Sequence, residues 1–154
     1  MNGTNDQNSQ IQIRNILDEC YYDPNMKDYV TKMIMKVINY PKKTNQPRFF
    51  VRNINQDKII MIWYPMSVPF AKRNIKVPIN IFIPKNIFNK SPQIFIELVK
   101  GSAINGICEY INQITGEIMT NTLRNWNKDS NIENVMNEIF ESFSNTFPFI
   151  KHPV

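Results

Sequence analysis

The stretch Ile75-Lys76-Val77-Pro78-Ile79-Asn80-Ile81-Phe82-Ile83 sets the reading of the whole chain. Ile75, Val77, Ile79, Ile81 and Ile83 fall on every second position, and a period of two puts all five side chains on one side of a strand. Aliphatic, mostly β-branched side chains suit a pleated surface that buries one face. Upstream, Arg48-Phe49-Phe50-Val51-Arg52 and Lys58-Ile59-Ile60-Met61-Ile62-Trp63 are two more strand-type runs, joined by the polar turn Asn53–Asp57. Between the second run and Ile75, Pro65 and Pro69 predict a loop, because proline brings no N–H to a sheet ladder. Downstream, Gln93-Ile94-Phe95-Ile96-Glu97-Leu98 gives the fourth strand, and the short connections predict an antiparallel meander.

Helical periods flank the strands. Ile13, Ile16, Leu17 and Cys20 recur at three- and four-residue steps. Asp23-Pro24 then starts a second helix, since aspartate caps free amides and proline suits the first helical position. Met26, Tyr29, Val30, Met33, Ile34, Val37 and Ile38 form its apolar face, and Pro41 stops it. Ser130-Asn131-Ile132-Glu133 reads as a capping box for the last helix, whose stripe is Ile132, Val135, Met136, Ile139, Phe140 and Phe143. Residues 99–127 keep no period and hold three of the four glycines, so they read as one long loop. Residues 1–10 are polar and read as a disordered lead-in, leaving a single domain over 11–154. The expected class is α+β: a four-stranded antiparallel meander with N-terminal helices and one C-terminal helix.

Composition narrows the function classes. Eighteen Lys and Arg against thirteen Asp and Glu leave a net charge of +5, with five arginines. That excess singles out no nucleic acid partner. Arg48 to Arg52 interleaves aromatics with cations, but alternation along a strand accounts for it. The apolar runs are far shorter than the roughly 18 residues that span a bilayer, so no membrane insertion is expected. The N-terminus has no basic start followed by an apolar stretch, and reads as no secretory signal. Cys20 and Cys108 stand far apart with no CxxC pair, which suggests a reducing compartment and no metal framework. No GxGxxG, Walker loop, HExxH or Asp-rich loop occurs, so no cofactor is expected. His152, the only histidine, stands near the end of the chain without the neighbours that acid–base work needs. Cys20 falls on an apolar helix face and reads as core. Cys108, in the long loop, is the only candidate nucleophile. Exposed apolar and proline-rich segments in a chain without catalytic parts point to protein binding.

Val68-Pro69-Phe70 followed by Val77-Pro78-Ile79 resembles the ubiquitin-conjugating enzyme variant (UEV) domain of the endosomal sorting complex ESCRT-I. Asn86-Ile87-Phe88-Asn89-Lys90-Ser91-Pro92 is similar to a worn form of that family's Tyr-Pro-Tyr-x-Pro-Pro turn. Gly116-Glu117-Ile118-Met119 resembles its Gly-x-Ile element, and Leu123-Arg124-Asn125-Trp126 its Leu-x-x-Trp. The order and spacing of these motifs extend over nearly all of residues 11–154.

The resemblance implies a ubiquitin-conjugating fold without its chemistry. Active members carry the thioester cysteine where Met119 stands, with a His-Pro-Asn element upstream that is absent here. A thioether has no proton to lose and forms no thioester. Two ligands follow from the family. The resemblance implies ubiquitin at Phe50, Arg52 and Asn53 of the first hairpin and at Phe82 and Phe95, with Phe82 standing where the family has tryptophan. It implies a Pro-Thr/Ser-Ala-Pro peptide in a groove matched by Phe70, Ile75, Val77, Pro78, Phe149, Ile150 and Lys151. In that groove Ile75 replaces a second tyrosine and Lys151 a hydrogen-bonding serine, so the peptide should bind weakly. Other ESCRT-I subunits would join through regions outside this chain, and the place of work would be cytoplasmic and endosome-associated. The alternatives are an RWD-type interaction domain, which has a similar layout, and an active conjugating enzyme that uses Cys108.

Overall fold

The computed structural model describes the backbone of residues 2–151 and the side chains of residues 10–150. Two helices come first, α1 (Asn2–Cys20) and α2 (Pro24–Ile38). Strands β1 (Arg48–Ile54), β2 (Asp57–Phe70), β3 (Arg73–Ile83) and β4 (Gln93–Ile96) follow as the expected meander. The rest comprises β5 (Ser102–Ile104), β6 (Glu117–Ile118), α3 (Asn121–Arg124), α4 (Ile132–Asn145) and β7 (Phe149–Lys151). The main sheet has the order β1-β2-β3-β4-β6, and β5 pairs with β7 in a separate two-stranded sheet. Its antiparallel meander backed by helices is the expected α+β layout, with a two-residue fifth strand added at the β4 edge. Helix α1 takes in most of the stretch expected as an unstructured lead-in, since elongating a helix already nucleated by Ile13, Leu17 and Cys20 is easier than starting one. His152 lies outside the described residues.

Alternation fixes which face meets the helices. Ile60, Ile62, Tyr64, Met66 and Val68 of β2 pair laterally with Ile83, Ile81, Ile79, Val77 and Ile75 of β3. All but the half-buried Ile75 are removed from solvent, and they form one core with Leu17, Val30, Ile34, Ile139 and Phe143 of the helices. Tyr22 locks α1–α2 to this sheet: its hydroxyl donates to the Ile83 carbonyl at 2.6 Å and accepts from the Ile60 N–H at 3.1 Å.

Three further expectations change. The loop predicted at Pro65 and Pro69 is strand, because the prolines sit where a ladder needs no N–H. Pro65 faces Pro78 across β2–β3. The Pro65 carbonyl accepts from the Thr44 N–H at 2.9 Å, and the Pro78 carbonyl accepts from the Glu97 N–H at 3.0 Å. In a strand the N–H and C=O of one residue point the same way, so both missing donors face away from the ladder between the two prolines. The last helix is capped by Asn131, whose side chain accepts from the Glu133 N–H at 2.9 Å, while the Ser130 hydroxyl accepts from the Asn127 N–H. The cap therefore falls one residue later than Ser130, and it is a simple Asn131 cap, since the residue three further on is Asn134 and not a glutamate. The long loop 99–127 contains β5, β6 and the single turn α3, elements too short to leave a period.

Candidate functional site

The sheet face turned away from the helices carries its own order. Register places Arg48, Trp63, Asn80, Phe95 and Glu117 in one cross-strand row and Phe50, Met61, Phe82 and Gln93 in the next. Phe82 and Phe95 meet edge to face with ring centroids 5.9 Å apart. The Arg52 guanidinium lies over the Phe50 ring at 4.8 Å. Trp63 is flanked by the Arg48 guanidinium at 5.6 Å and the Lys76 ammonium at 5.8 Å, and its Nε1–H donates to Glu97 at 3.3 Å. The Asn80 Oδ1 is buried in this face without a hydrogen-bond partner. Arg52 is exposed, and Phe50, Phe82, Phe95 and Trp63 are half-buried, so the face presents aromatic surface edged by cations.

Four of the five residues expected at a ubiquitin surface therefore lie on one face: Phe50, Arg52, Phe82 and Phe95. Asn53 does not. It pairs with Lys58 and has the parity of Phe49 and Val51, so its side chain leaves the strand on the opposite side. Sequence reasoning missed Trp63, which belongs to the same face. Its signal was parity, because Ile59, Met61 and Trp63 alternate with the inward Ile60 and Ile62.

The first hairpin closes through Asn55 and Gln56, both at positive φ (50° and 71°), and β2–β3 closes through Ala71 and Lys72 (51° and 65°). Two-residue loops of this hand match the right-handed twist of the strands, so each hairpin stays paired to its tip.

The peptide-groove residues separate. Phe70 is 49% exposed at the end of β2. Its ring stacks on Phe147 with centroids 4.2 Å apart and planes at 19°, and Phe147 meets Phe149 edge to face at 6.0 Å. Ile75 is half-buried on the same sheet side, and Ile150 is exposed. Val77 is wholly buried against the helices and Pro78 is buried on the opposite sheet face, so these two do not join Phe70 at one surface. Alternation turns Pro78 away, whereas Val77 shares the side of Phe70 and Ile75 and is covered there by core packing. The backbone of Lys151 pairs with Ser102 in the β5–β7 sheet.

Met119, expected to match the thioester cysteine, is half-buried against the core, and its N–H donates to the Tyr110 carbonyl at 2.9 Å. Trp126 braces this end: its indole N–H donates to the Ile87 carbonyl at 2.8 Å, tying the Leu-x-x-Trp element to the worn proline turn. Cys108, the candidate nucleophile of the long loop, is buried. It is 5% exposed, and its thiol donates to the Thr146 carbonyl at 3.3 Å. Burial pushes its pKa up, the opposite of what a nucleophilic thiolate requires. Among the described residues no group of three His, Cys, Asp or Glu side chains gathers as metal ligands would. No helix there is long and apolar enough to cross a membrane.

Comparison with known proteins adds two findings. The family model of the UEV domain matches residues 13–151. A crystal structure of the yeast vps23 UEV domain in complex with a vps27 PSDP peptide superposes with a TM-score of 0.65, covering 88% of this chain and 90% of that chain at 18% identity. At that identity the likeness speaks for the fold. No curated protein matches the chain.

Proposed function

The chain belongs to the UEV domain family, and on that footing we propose that it is a recognition module without conjugating chemistry, binding ubiquitin and proline-rich peptides in endosomal sorting. The observation that carries the ubiquitin half is the outer sheet face. Phe50, Arg52, Phe82 and Phe95, matched to the family's ubiquitin contacts, converge there from three strands. Aromatic anchors edged by an arginine are the composition that dominates binding energy in protein interfaces. Asn53 would contribute only at the rim of such an interface.

The peptide half rests on Phe70, Phe149 and Ile150, with Ile75 and Lys151 at the matched positions that depart from the family. An exposed aromatic suits a proline-rich ligand, because a polyproline-type chain is already stiff and loses little entropy on docking. The yeast relative was crystallised with a PSDP peptide, and a ligand of the same proline-flanked kind is proposed here. Met119 in place of a thiol, with Cys108 buried, supports the absence of conjugation chemistry. Other ESCRT-I subunits would be engaged through regions outside this chain, on the cytoplasmic face of endosomes.

The test is a titration of the isotope-labelled domain with ubiquitin. Shifts should cluster at residues 49–58 and around Phe82 and Phe95, with weak affinity in keeping with a small interface. Arg52→Ala should weaken binding with little change in the thermal midpoint, since Arg52 makes no ion pair among the described residues and its one aromatic contact, with Phe50, lies at the exposed surface. Absence of shifts at high ubiquitin concentration removes the ubiquitin assignment.

A further inference from the structure

The gap between the two aromatic residues assigned to the peptide groove is not open. Phe70 stands at the tip of β2–β3 and Phe149 begins β7, and Phe147 pairs with both rings. Its pairing with Phe70 is a near-parallel stack at 4.2 Å, the closest of the aromatic pairs among the described residues. A proline ring lying on an aromatic face needs carbon contacts of about 3.5–4 Å. Phe147, nearly parallel to Phe70 with its centroid 4.2 Å away, already covers one face of that ring.

The main chain on either side of Phe147 is pinned. The Asn105 Nδ2–H donates to the Phe147 carbonyl at 3.0 Å, and the Asn105 N–H donates to the Pro148 carbonyl at 2.7 Å. Pro148 is buried, and Phe149 and Ile150 pair with Ile104 and Ala103. The segment therefore does not peel away readily. The Phe147 side chain is only half-buried, so its own rotation is the available movement.

We propose that Phe147 is an internal competitor for the proline-binding face of Phe70: its ring occupies the place of a ligand proline, and a peptide binds there by displacing it. This rests on the peptide half of the proposed function and adds the residue that sets its affinity. It supplies a cause for weak peptide binding separate from the Ile75 and Lys151 replacements. Because the pinned backbone stays in place, the cost of opening is the lost ring stack and the exposed ring surface.

A labelled Pro-Thr-Ala-Pro peptide would be titrated into the unaltered domain, Phe147→Ala and Phe147→Leu, with ubiquitin as a second ligand on the opposite sheet face. Phe147→Ala should bind the peptide roughly fivefold more tightly or better, the scale of one released aromatic pair. Phe147→Leu should fall between the two. Phe70→Ala in the Phe147→Ala background should abolish the gain. In the unaltered domain, saturation with peptide should relieve the ring-current shifts that Phe70 imposes on Phe147, a signature that a purely structural phenylalanine would not give. Equal or weaker peptide binding by Phe147→Ala overturns the proposal while leaving the peptide reading in place. Should that variant fail to fold, Phe147→Leu carries the test, and binding no tighter than the unaltered chain overturns it. Peptide bound by none of the proteins, with ubiquitin still bound, removes the peptide reading itself.

Discussion

Single buried hydroxyls hold the halves of this domain together. The Tyr64 hydroxyl donates to the Tyr40 carbonyl at 2.8 Å, joining the end of the α2 segment to the middle of β2. The same carbonyl also accepts from the Lys43 ammonium at 2.9 Å, so Tyr64→Phe removes one of two donors and should cost about 0.5–1.5 kcal/mol, the net worth of a single hydrogen bond. Urea unfolding checks it, and a loss under ~0.3 kcal/mol would sink the assignment. Burial raises the pKa values of Tyr22 and Tyr64 above their ordinary value of 10.0. The folded state thus holds these protons more tightly than the unfolded chain. Their contribution to stability is whole below about pH 10 and declines as pH rises beyond it. Denaturation curves across pH 8–11 should show that decline, and it should shrink in Tyr64→Phe.

At the level of elements, the hairpins are closed by residues that tolerate their backbone poorly. Gln56 at φ 71° and Lys72 at φ 65° sit in the left-handed region without the freedom of glycine. Gln56→Gly should stabilise the domain by about 0.5–1 kcal/mol, because relief of the backbone outweighs the added entropy of the unfolded chain. A thermal midpoint that falls instead would show that the Gln56 side chain makes a contact worth more than the strain. Strand β2 illustrates the converse case. Its prolines look like breakers in one dimension, yet they occupy the positions whose N–H faces away from β3. The pattern of Ile60, Ile62, Tyr64, Met66 and Val68 continues straight through Pro65, and that unbroken period was the stronger signal.

For the whole molecule, the expected absence of conjugation is open to direct measurement. Incubation with activating enzyme, ATP and ubiquitin should yield no thiol-sensitive adduct. Met119 has no thiol, and Cys108 is kept protonated and covered beside Ser142 and Thr146 of the last helix and its cap. Met119→Cys by itself should stay uncharged or nearly so, because a thiol alone supplies neither a lowered pKa nor donors for the oxyanion. Efficient charging of the unaltered domain, lost in Cys108→Ala, would reinstate the enzyme alternative.

Period and punctuation in the one-dimensional chain marked α2, α4, the later part of α1, the four strands of the meander and their inward faces, and residue identity alone leaves no thiol at position 119. These are local properties, fixed by which residue follows which. Tertiary structure alone decided the burial of Cys108 under α4, since loop residues carry no period that marks their depth. It also decided that Phe50, Arg52, Phe82 and Phe95 share a face while Asn53 does not, because facing depends on register between strands as well as on order within one. The stack of Phe147 on Phe70 joins residues far apart in the chain. No local pattern encodes it: that contact exists only once the hairpin tip and the strand after α4 have been brought together by the core they both cover.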